Sequence, residues 1–333
     1  MKQKKSVVVI GGGTGTHTIL RGLKSYADTI DIRAIVTMAD SGGSTGRLRD
    51  EFGYLPVGDV RMALCALARE EGEYDSILRK LFLYRFDRGE GLRGHTLGNL
   101  LLVALTDMLG SENEAIRAAA KVLATCGEVI PVTTDNVHLM AEYNTGAQAH
   151  TEHAIDTNTD VQSDSFITRL TLSSEAHVNP RAREAIREGD LIVLGPGDLY
   201  TSILANCVVH GVPEALSSAK GKLVYVANLM SRRGQTNGMG TEEHLKEIER
   251  YIGRTPDYMI VHTGSFRSDL LALYERDGEY PVAHTYQGGG GTVVLSGDFV
   301  ANDDVVLAKG DVLKRSLIRH DPIALSRAII DLI

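Results

Sequence analysis

The chain has 333 residues, of which 35 are basic and 43 acidic, so its formal charge is −8. This balance argues against a general nucleic-acid-binding surface. The apolar stretch behind the basic N-terminus ends at Ile10, and apolar runs elsewhere, such as residues 100–105, are far shorter than a membrane span. We therefore expect neither a secretory signal peptide nor a membrane span. The three scattered cysteines favour reduced thiols and a cytoplasmic location.

Strand and helix signals alternate along the chain, which is typical of an α/β fold with a mostly parallel sheet. The pattern predicts strands over residues 5–10, 31–37, 129–132, 190–194, 222–228 and 257–262. It predicts helices over residues 15–25, 200–206, 212–219 and 241–252, and further helices that begin at Asn179-Pro180 and Asp321-Pro322.

Two segments interrupt this alternation. Residues 57–126 form a long helical excursion without an obvious strand, and its last helix begins with a capping-box pattern at Ser111. Residues from about 136 to 172 alternate between apolar and polar, with Gly146 in a turn, which predicts an antiparallel hairpin insertion. We therefore expect residues 1–333 to form a single α/β domain that carries both insertions.

Three glycine-rich loops that follow apolar strands are the strongest functional signal. They cover residues 11–15, 40–46 and 195–198. Since parallel strands expose their carboxyl ends at the same edge of a sheet, we expect the loops to converge on one concave site. Glycines there let backbone N–H groups approach a phosphate closely. The sequence thus predicts that the protein binds a nucleotide or another phosphorylated small molecule.

The first loop departs from two common nucleotide-binding motifs. A dinucleotide fingerprint that starts at Gly11 requires a sixth-position glycine, where the chain has Thr16. It also requires an acid about 20 residues further on, and residues 36–39 contain none. No Walker motif is present either. These departures disfavour an NAD(P) oxidoreductase and a P-loop ATPase, and a tight turn without a ligand is the alternative for this loop taken alone.

Polar residues near the strand ends are further candidates. Arg232 and Arg233 follow the strand over residues 222–228, and guanidinium groups suit a diphosphate, although solvated surface charge is the alternative. Asp40 would repel a phosphate unless it binds Mg²⁺ or a hydroxyl group. Asp59 either caps a helix or reaches the loops, so Asp40 and Asp59 are the candidate catalytic residues. We expect no metal at the weakly matching pair formed by His150 and His153, which lies in the predicted hairpin.

Eight stretches resemble a known family and follow one another in its order. They are residues 10–15, 40–50, 58–61, 84–86, 94–101, 195–203, 228–230 and 318–322. The chain resembles the gluconeogenesis-factor (YvcK-like) branch of the CofD-like superfamily, whose other branch contains 2-phospho-L-lactate transferase. The resemblance implies a Rossmann-like three-layer α/β/α fold, a cytoplasmic homodimer, and binding of UDP sugars such as UDP-N-acetylglucosamine. It also implies roles in growth on gluconeogenic carbon sources and in cell shape.

The loops and the resemblance together give a set of candidate ligand-binding residues. They are Gly12, Gly13, Thr14, Gly15, Asp40, Gly42, Gly43, Ser44, His95, Asn99, Gly195, Pro196, Gly197, Ser202, Asn228, Arg232 and Arg233. His95 begins an apolar helix, where it could meet a ligand at the helix N-terminus.

The chain departs from the family pattern at Ser41, Met62 and residues 231–235, where it loses potential acidic ligands and gains an arginine. These changes weaken the case for a carboxylate-rich or two-metal catalytic centre. We therefore expect a nucleotide-sugar-binding regulator that acts on a target protein and needs no cofactor for binding. The alternative is a nucleotide-dependent phospho-transferase that uses Mg²⁺.

Overall fold

A computed structural model describes residues 4–70, 73–157, 165–288, 290–302 and 316–333. The strands in these ranges are β1 (Lys5–Gly11), β2 (Ile30–Val36), β3 (Glu128–Pro131), β4 (Leu139–Tyr143), β5 (Gln148–Ala149), β6 (Ile167–Leu172), β7 (Leu191–Leu194), β8 (Lys222–Val226), β9 (Tyr258–His262) and β10 (Val293–Gly297).

Helices connect these strands. The α-helices in the described ranges are α1 (Gly13–Leu23), α2 (Gly43–Phe52), α3 (Gly58–Leu67), α4 (Glu73–Leu83), α5 (Leu97–Leu109), α6 (Glu112–Val122), α7 (Glu152–Thr157), α8 (Pro180–Glu188), α9 (Ala205–Cys207), α10 (Val212–Ser218), α11 (Thr241–Ile252), α12 (Ser268–Arg276) and α13 (Pro322–Ile330). A π-helical turn, Leu199–Leu204, precedes α9 where the sequence predicts an ordinary helix.

Seven parallel strands form the central sheet, in the order β10-β9-β8-β7-β1-β2-β3. Residues 7–10 of β1 are fully buried, because strands pair with both edges of β1 and helices cover the sheet. On one side of β1 the chain continues to β2 and β3, and on the other it returns to β7. The strand order therefore reverses between β1 and β7, which creates a crevice at their carboxyl ends.

The structure confirms the α/β architecture, the mostly parallel sheet and both insertions. Helices α3 to α6 occupy the excursion, and the part of it that the structure describes holds no strand of the sheet. The second insertion is a three-stranded antiparallel sheet in the order β5-β4-β6. The sequence pattern predicts strand character at residues 152–157 of this insertion, and this prediction is wrong, because these residues form α7.

Strand β10 and helix α12 follow the last strand that the sequence pattern identifies. The residues of β10 are exposed or partly exposed because this strand lies at the edge of the sheet, so its sequence lacks a run of buried apolar residues. Across the described residues, none of the helices has the length and apolar character needed to cross a membrane.

Candidate functional site

A cleft of about 290 Å³ lies at the carboxyl ends of β1, β2, β7 and β8. The three glycine-rich loops line it, together with residues 228–232 that follow β8. Helix α7 of the antiparallel insertion borders the cleft on one side, and residues 316–320 border it as well. The cleft thus occupies the place where α/β sheets with a reversed strand order bind their ligands.

Two helices begin at this cleft without a side-chain cap. Gly12 precedes α1, Gly42 precedes α2, and neither provides a side-chain hydrogen bond to the first turn. The first N–H groups of an α-helix have no partner within the helix, and the helix dipole makes this end positive. Helix N-termini of this kind bind phosphate and carboxylate groups.

Gly15 brings the first and third loops into contact. A Cβ atom at Gly15 would overlap the carbonyl group of Pro196 and lie 2.9 Å from the backbone nitrogen of Gly197. Backbone atoms cannot move aside as a flexible side chain can, so only glycine allows the two loops to approach this closely. The floor of the cleft depends on this contact.

Most of the candidate residues border the cleft. Those that line it are Gly12, Gly13, Thr14, Gly15, Asp40, Gly42, Asp59, Pro196, Gly197, Ser202, Asn228 and Arg232. The cleft lining does not include Gly43, Ser44, His95, Asn99, Gly195 and Arg233. Ligand contacts by any of these residues stay predictions.

Ser44, His95 and Asn99 form a buried hydrogen-bond network behind α2. His95 Nδ1 lies 3.0 Å from Ser44 Oγ, and Asn99 donates from Nδ2 to the same oxygen at 3.1 Å. Arg61 Nε donates to Asn99 Oδ1 at 2.7 Å. Burial, followed by the positive charge of Arg47, lowers the pKa of His95. The network joins α2, α3 and α5 and so fixes the position of the α2 N-terminus at the cleft.

The cleft is richer in carboxylates than the sequence pattern indicates. Asp40 and Asp59 are joined there by Glu152 and Asp156, four residues apart on α7. The Ser41 N–H donates to Glu152 Oε2 at 3.4 Å, which links α7 to the second glycine loop. The insertion therefore supplies acids that the loop at Ser41 lacks, and the weakened case for a carboxylate-rich catalytic centre stays a prediction. The four-residue spacing of Glu152 and Asp156, which would place both acids on one face of a helix, is the feature of the sequence that points to them.

The pKa values of two of these acids are raised. Burial raises the pKa of Asp40, although the Gly42 N–H donates to its Oδ1 at 2.9 Å and opposes the shift. Burial, then the charges of Asp156, Asp40 and Asp59, raises the pKa of Glu152 well above its ordinary value. A cation, or hydroxyl groups that donate hydrogen bonds, would relieve this repulsion.

Asp156 connects α7 to the π-helical turn and to the loop after β8. Its Oδ1 accepts a hydrogen bond from the Thr201 hydroxyl at 3.1 Å and another from Gln235 Nε2 at 2.9 Å. Gln235 is fully buried, and its Oε1 atom has no hydrogen-bond partner among the described residues. The loop after β8 thereby holds α7 against the cleft.

Arg232 lines the cleft between two acids. Its Nη1 is 3.3 Å from Glu279 Oε1 and its Nε is 3.9 Å from Asp198 Oδ2. Burial alone would lower the pKa of Arg232, but the charges of Asp198, Asp156 and Glu279 outweigh it and raise the pKa. Burial raises the pKa of Asp198 to about 6, against the opposing effect of Arg232. Arg232 therefore stays charged and can bind an anion.

Residues 316–320 add Arg319 and His320 to the cleft lining. Burial, then the nearby charge of His262, lowers the pKa of His320 to about 4. His320 is thus neutral near pH 7, whereas Arg319 brings a second positive charge. The cleft therefore combines the glycine loops that precede α1 and α2 with two arginines and several acids, some of which lie next to Arg232.

Comparisons with known proteins agree with this architecture. The family model described as 2-phospho-L-lactate transferase CofD matches residues 7–298. A Halalkalibacterium halodurans protein named gluconeogenesis factor is 38% identical over 335 residues, which cover 99% of this chain and 97% of that protein. A Bacillus subtilis protein of the same name is 36% identical over 335 residues, covering 100% and 99% of the two chains.

A solved structure has the same fold over nearly the whole length. The crystal structure of a Bacillus halodurans protein superimposes with a TM-score of 0.88 at 36% sequence identity and covers 98% of this chain and 100% of that one. At this identity and coverage, the likeness extends beyond the sheet to both insertions. The chain therefore belongs to the CofD family, and its relatives named gluconeogenesis factor are similar to it along almost its entire length.

Proposed function

We propose that the protein is a regulator that binds a nucleotide sugar of the UDP-N-acetylglucosamine type in this cleft. The observation that carries the proposal is the convergence, at one crevice, of the glycine loops that precede α1 and α2 with Arg232. Backbone N–H groups and a guanidinium group are the donors that a diphosphate needs. The name of the relatives supports a role in carbon metabolism during gluconeogenic growth.

The acids that line the cleft suit the sugar part of such a ligand. Carboxylates of Asp40, Glu152 and Asp156 can accept hydrogen bonds from ribose or hexose hydroxyl groups, and such bonds favour the charged form of the acids. Inorganic phosphate offers no neutral hydroxyl-rich part, so the same acids would repel it. A ligand that carries both a diphosphate and hydroxyl groups matches the donors and the acids that line the cleft.

We also propose that the protein acts as a cytoplasmic homodimer on a regulatory target protein that affects the cell envelope. Complementation tests this part of the proposal separately from binding. Expression of the chain in a bacterium that lacks its own gluconeogenesis factor should restore growth on a gluconeogenic carbon source. If the protein is stably produced but does not restore growth, the regulatory role is contradicted. The proposal that the cleft binds a nucleotide sugar then depends on the calorimetry alone.

A second candidate function, phospho-transfer, is favoured by the carboxylates at Asp40, Asp59, Glu152 and Asp156. Mg²⁺ is bound in many enzymes by one or two carboxylates together with substrate phosphates and water. The donor set fits such an ion, which would neutralise charge on a transferring group. Among the described residues, no three of the acids at the cleft bring ligand oxygens within 4.8 Å of one another, so substrate oxygens would complete the coordination.

Calorimetry with two neighbouring arginine variants tests nucleotide-sugar binding. Arg232→Ala should weaken binding of UDP-N-acetylglucosamine about tenfold or more, since a charge-assisted hydrogen bond contributes roughly 1.5–3 kcal/mol. Arg233 is exposed and does not line the cleft, so Arg233→Ala is the neighbouring variant for comparison and should weaken binding less than Arg232→Ala does. Equal affinities of the parent and Arg232→Ala, or no binding by the parent, would overturn the proposal.

A further inference from the structure

Outside the cleft, the potential metal-binding atoms of three surface side chains lie close together. Glu175, His177 and His210 are exposed, and each offers one ligand atom such that all three lie within 4.8 Å of one another. In the described ranges, no other group of three or more histidine, cysteine, aspartate or glutamate residues meets this criterion. None of the three lines the cleft, so this group is independent of the proposed nucleotide-sugar site.

The backbone holds the two histidines next to each other. His177 and His210 pair in a parallel bridge, in which the Val178 N–H donates to the His210 carbonyl at 2.9 Å and the His210 N–H donates to the Ala176 carbonyl at 2.9 Å. Asp135 Oδ2 accepts the His177 N–H at 2.7 Å. The positions from which both imidazoles project are thus set by the fold, which lowers the entropy lost when a ligand binds them.

The side chains already lie close to coordination distances. His177 Nε2 is 3.4 Å from Glu175 Oε1, and the two imidazole centroids are 5.2 Å apart. Glu214, in the first turn of α10, places its Oε1 4.0 Å from His210 Nδ1 and offers a fourth ligand. In a tetrahedral zinc site with bonds of about 2.0–2.1 Å, donor atoms lie about 3.3 Å apart. Small rotations of exposed side chains would bring the donors to that spacing.

The donor types indicate which ion would bind. Imidazole nitrogen is a good ligand for Zn²⁺ and other late transition metals, whereas Mg²⁺ and Ca²⁺ prefer sites made of oxygen. We propose that Glu175, His177 and His210 bind a Zn²⁺ ion, with Glu214 or water as the fourth ligand. The ion would join the segment between β6 and α8 to the segment between α9 and α10. The competing interpretation is a set of exposed histidine–glutamate contacts that contribute little to stability.

Zinc titration of the untagged, metal-free full-length chain tests the proposal. Excess Mg²⁺ is present throughout, so that sites made of oxygen ligands are occupied. The parent should bind one equivalent of Zn²⁺ by calorimetry, and saturating Zn²⁺ should raise the melting temperature because the ion binds the folded chain. His177→Gln and His210→Gln should each lower the Zn²⁺ affinity at least tenfold. His150 is exposed and does not belong to the group, so His150→Gln is the control and should keep the Zn²⁺ affinity of the parent.

Co²⁺ provides an independent readout of coordination. Bound at the same residues, it should give the intense visible absorption of a low-coordinate cobalt ion, and His177→Gln should abolish this absorption. Since both substituted histidines are exposed, each variant should match the parent's circular dichroism and melting temperature without zinc. Absence of saturable Zn²⁺ binding by the parent, or unchanged affinity in both variants, would overturn the proposal.

Discussion

Arg232 and Asp198 face each other at the cleft, with 3.9 Å between Arg232 Nε and Asp198 Oδ2. The distance is longer than a hydrogen bond, and Arg232 also lies 3.3 Å from Glu279. Attraction by Arg232 therefore does not offset the burial of the Asp198 carboxylate, and the pKa of Asp198 is raised to about 6. An anionic ligand on Arg232 would have to compete with this carboxylate whenever it is ionised.

We expect Asp198→Asn to stabilise the protein above pH 6. Because the pKa in the folded chain, about 6, exceeds the ordinary value of 3.8, the folded state binds more protons than the unfolded state between these values. The free energy of unfolding contributed by this group therefore falls as the pH rises through that window. The side chain is 36% exposed, so solvent screening reduces the expected gain at pH 7.5 to about 1 kcal/mol.

Urea unfolding of the parent and Asp198→Asn at pH 7.5 and pH 4 measures this effect. The variant should be more stable than the parent at pH 7.5 and about equally stable at pH 4, where the parent's carboxyl group is mostly protonated in the folded chain. A variant that is less stable than the parent by the same amount at both pH values would show that the Arg232 contact dominates instead.

We expect Gly15→Ala to disrupt the cleft. The added methyl group would meet the backbone of Pro196 and Gly197, so the first and third loops would have to separate. Overpacking of this kind costs about 1–3 kcal/mol. Gly91→Ala is the control, since nothing lies within 4 Å of a Cβ atom there. Thermal melting should show lower stability, and calorimetry with UDP-N-acetylglucosamine weaker binding, for Gly15→Ala but not for Gly91→Ala. A Gly15→Ala variant with the melting temperature and affinity of the parent would refute the contact.

Asn99→Ala should destabilise the fold. Asn99 is buried and bonds to Ser44 and Arg61, so its truncation leaves both partners without this contact in the interior. Unsatisfied buried polar groups cost about 1–3 kcal/mol each, and we expect a total loss of roughly 2–4 kcal/mol. Asn302→Ala, at an exposed position, should leave the unfolding midpoint in urea unchanged. A loss of ligand affinity without a loss of stability in Asn99→Ala would instead indicate that Asn99 contacts the ligand.

The sequence predicts the central sheet and the glycine loops because each depends on local pattern. Residues 7–10 form a continuous apolar run since β1 is buried on both faces, and glycines follow directly where the chain turns into α1. The approach of the glycine loops to the cleft then follows from the parallel direction of the strands that precede them. A short-range pattern together with one topological rule was enough for this part of the site.

The acids of α7 could not be assigned to the cleft in the same way. Glu152 lies 111 residues beyond Ser41, in an insertion whose packing on the sheet depends on tertiary contacts. Conversely, Ser44 and His95 lie in sequence motifs near the site, yet their side chains bond to each other in the interior. Sequence spacing identifies the segments that approach the cleft, but the direction of each side chain depends on the packing of the helices that carry it.

Incubation of the protein with nucleotide sugar and Mg²⁺ distinguishes a regulator from a transferase. A binding protein needs the N–H donors of the loops and Arg232, whereas phosphoryl transfer also needs a metal ion to neutralise developing charge and a group that orients the acceptor. We expect UDP-N-acetylglucosamine to bind without Mg²⁺ and to be recovered unchanged after long incubation with phosphorylated acceptors. Asp40→Asn should change the dissociation constant by less than about tenfold, because it removes one of several negative charges at the cleft and keeps a polar group of the same size.

Chromatography of the reaction mixture provides the measurement, with UMP, UDP and new conjugates as the products sought. Asp59→Asn and Asp40→Asn serve as paired variants, since both residues line the cleft and both were candidates for catalysis. Multiple turnovers in the parent that are lost in either variant, while its melting temperature and nucleotide-sugar affinity stay near the parent values, would establish the transferase and remove the regulator as the primary function. Unchanged nucleotide sugar with the parent, at concentrations that saturate the cleft, is the result that we expect of a regulator.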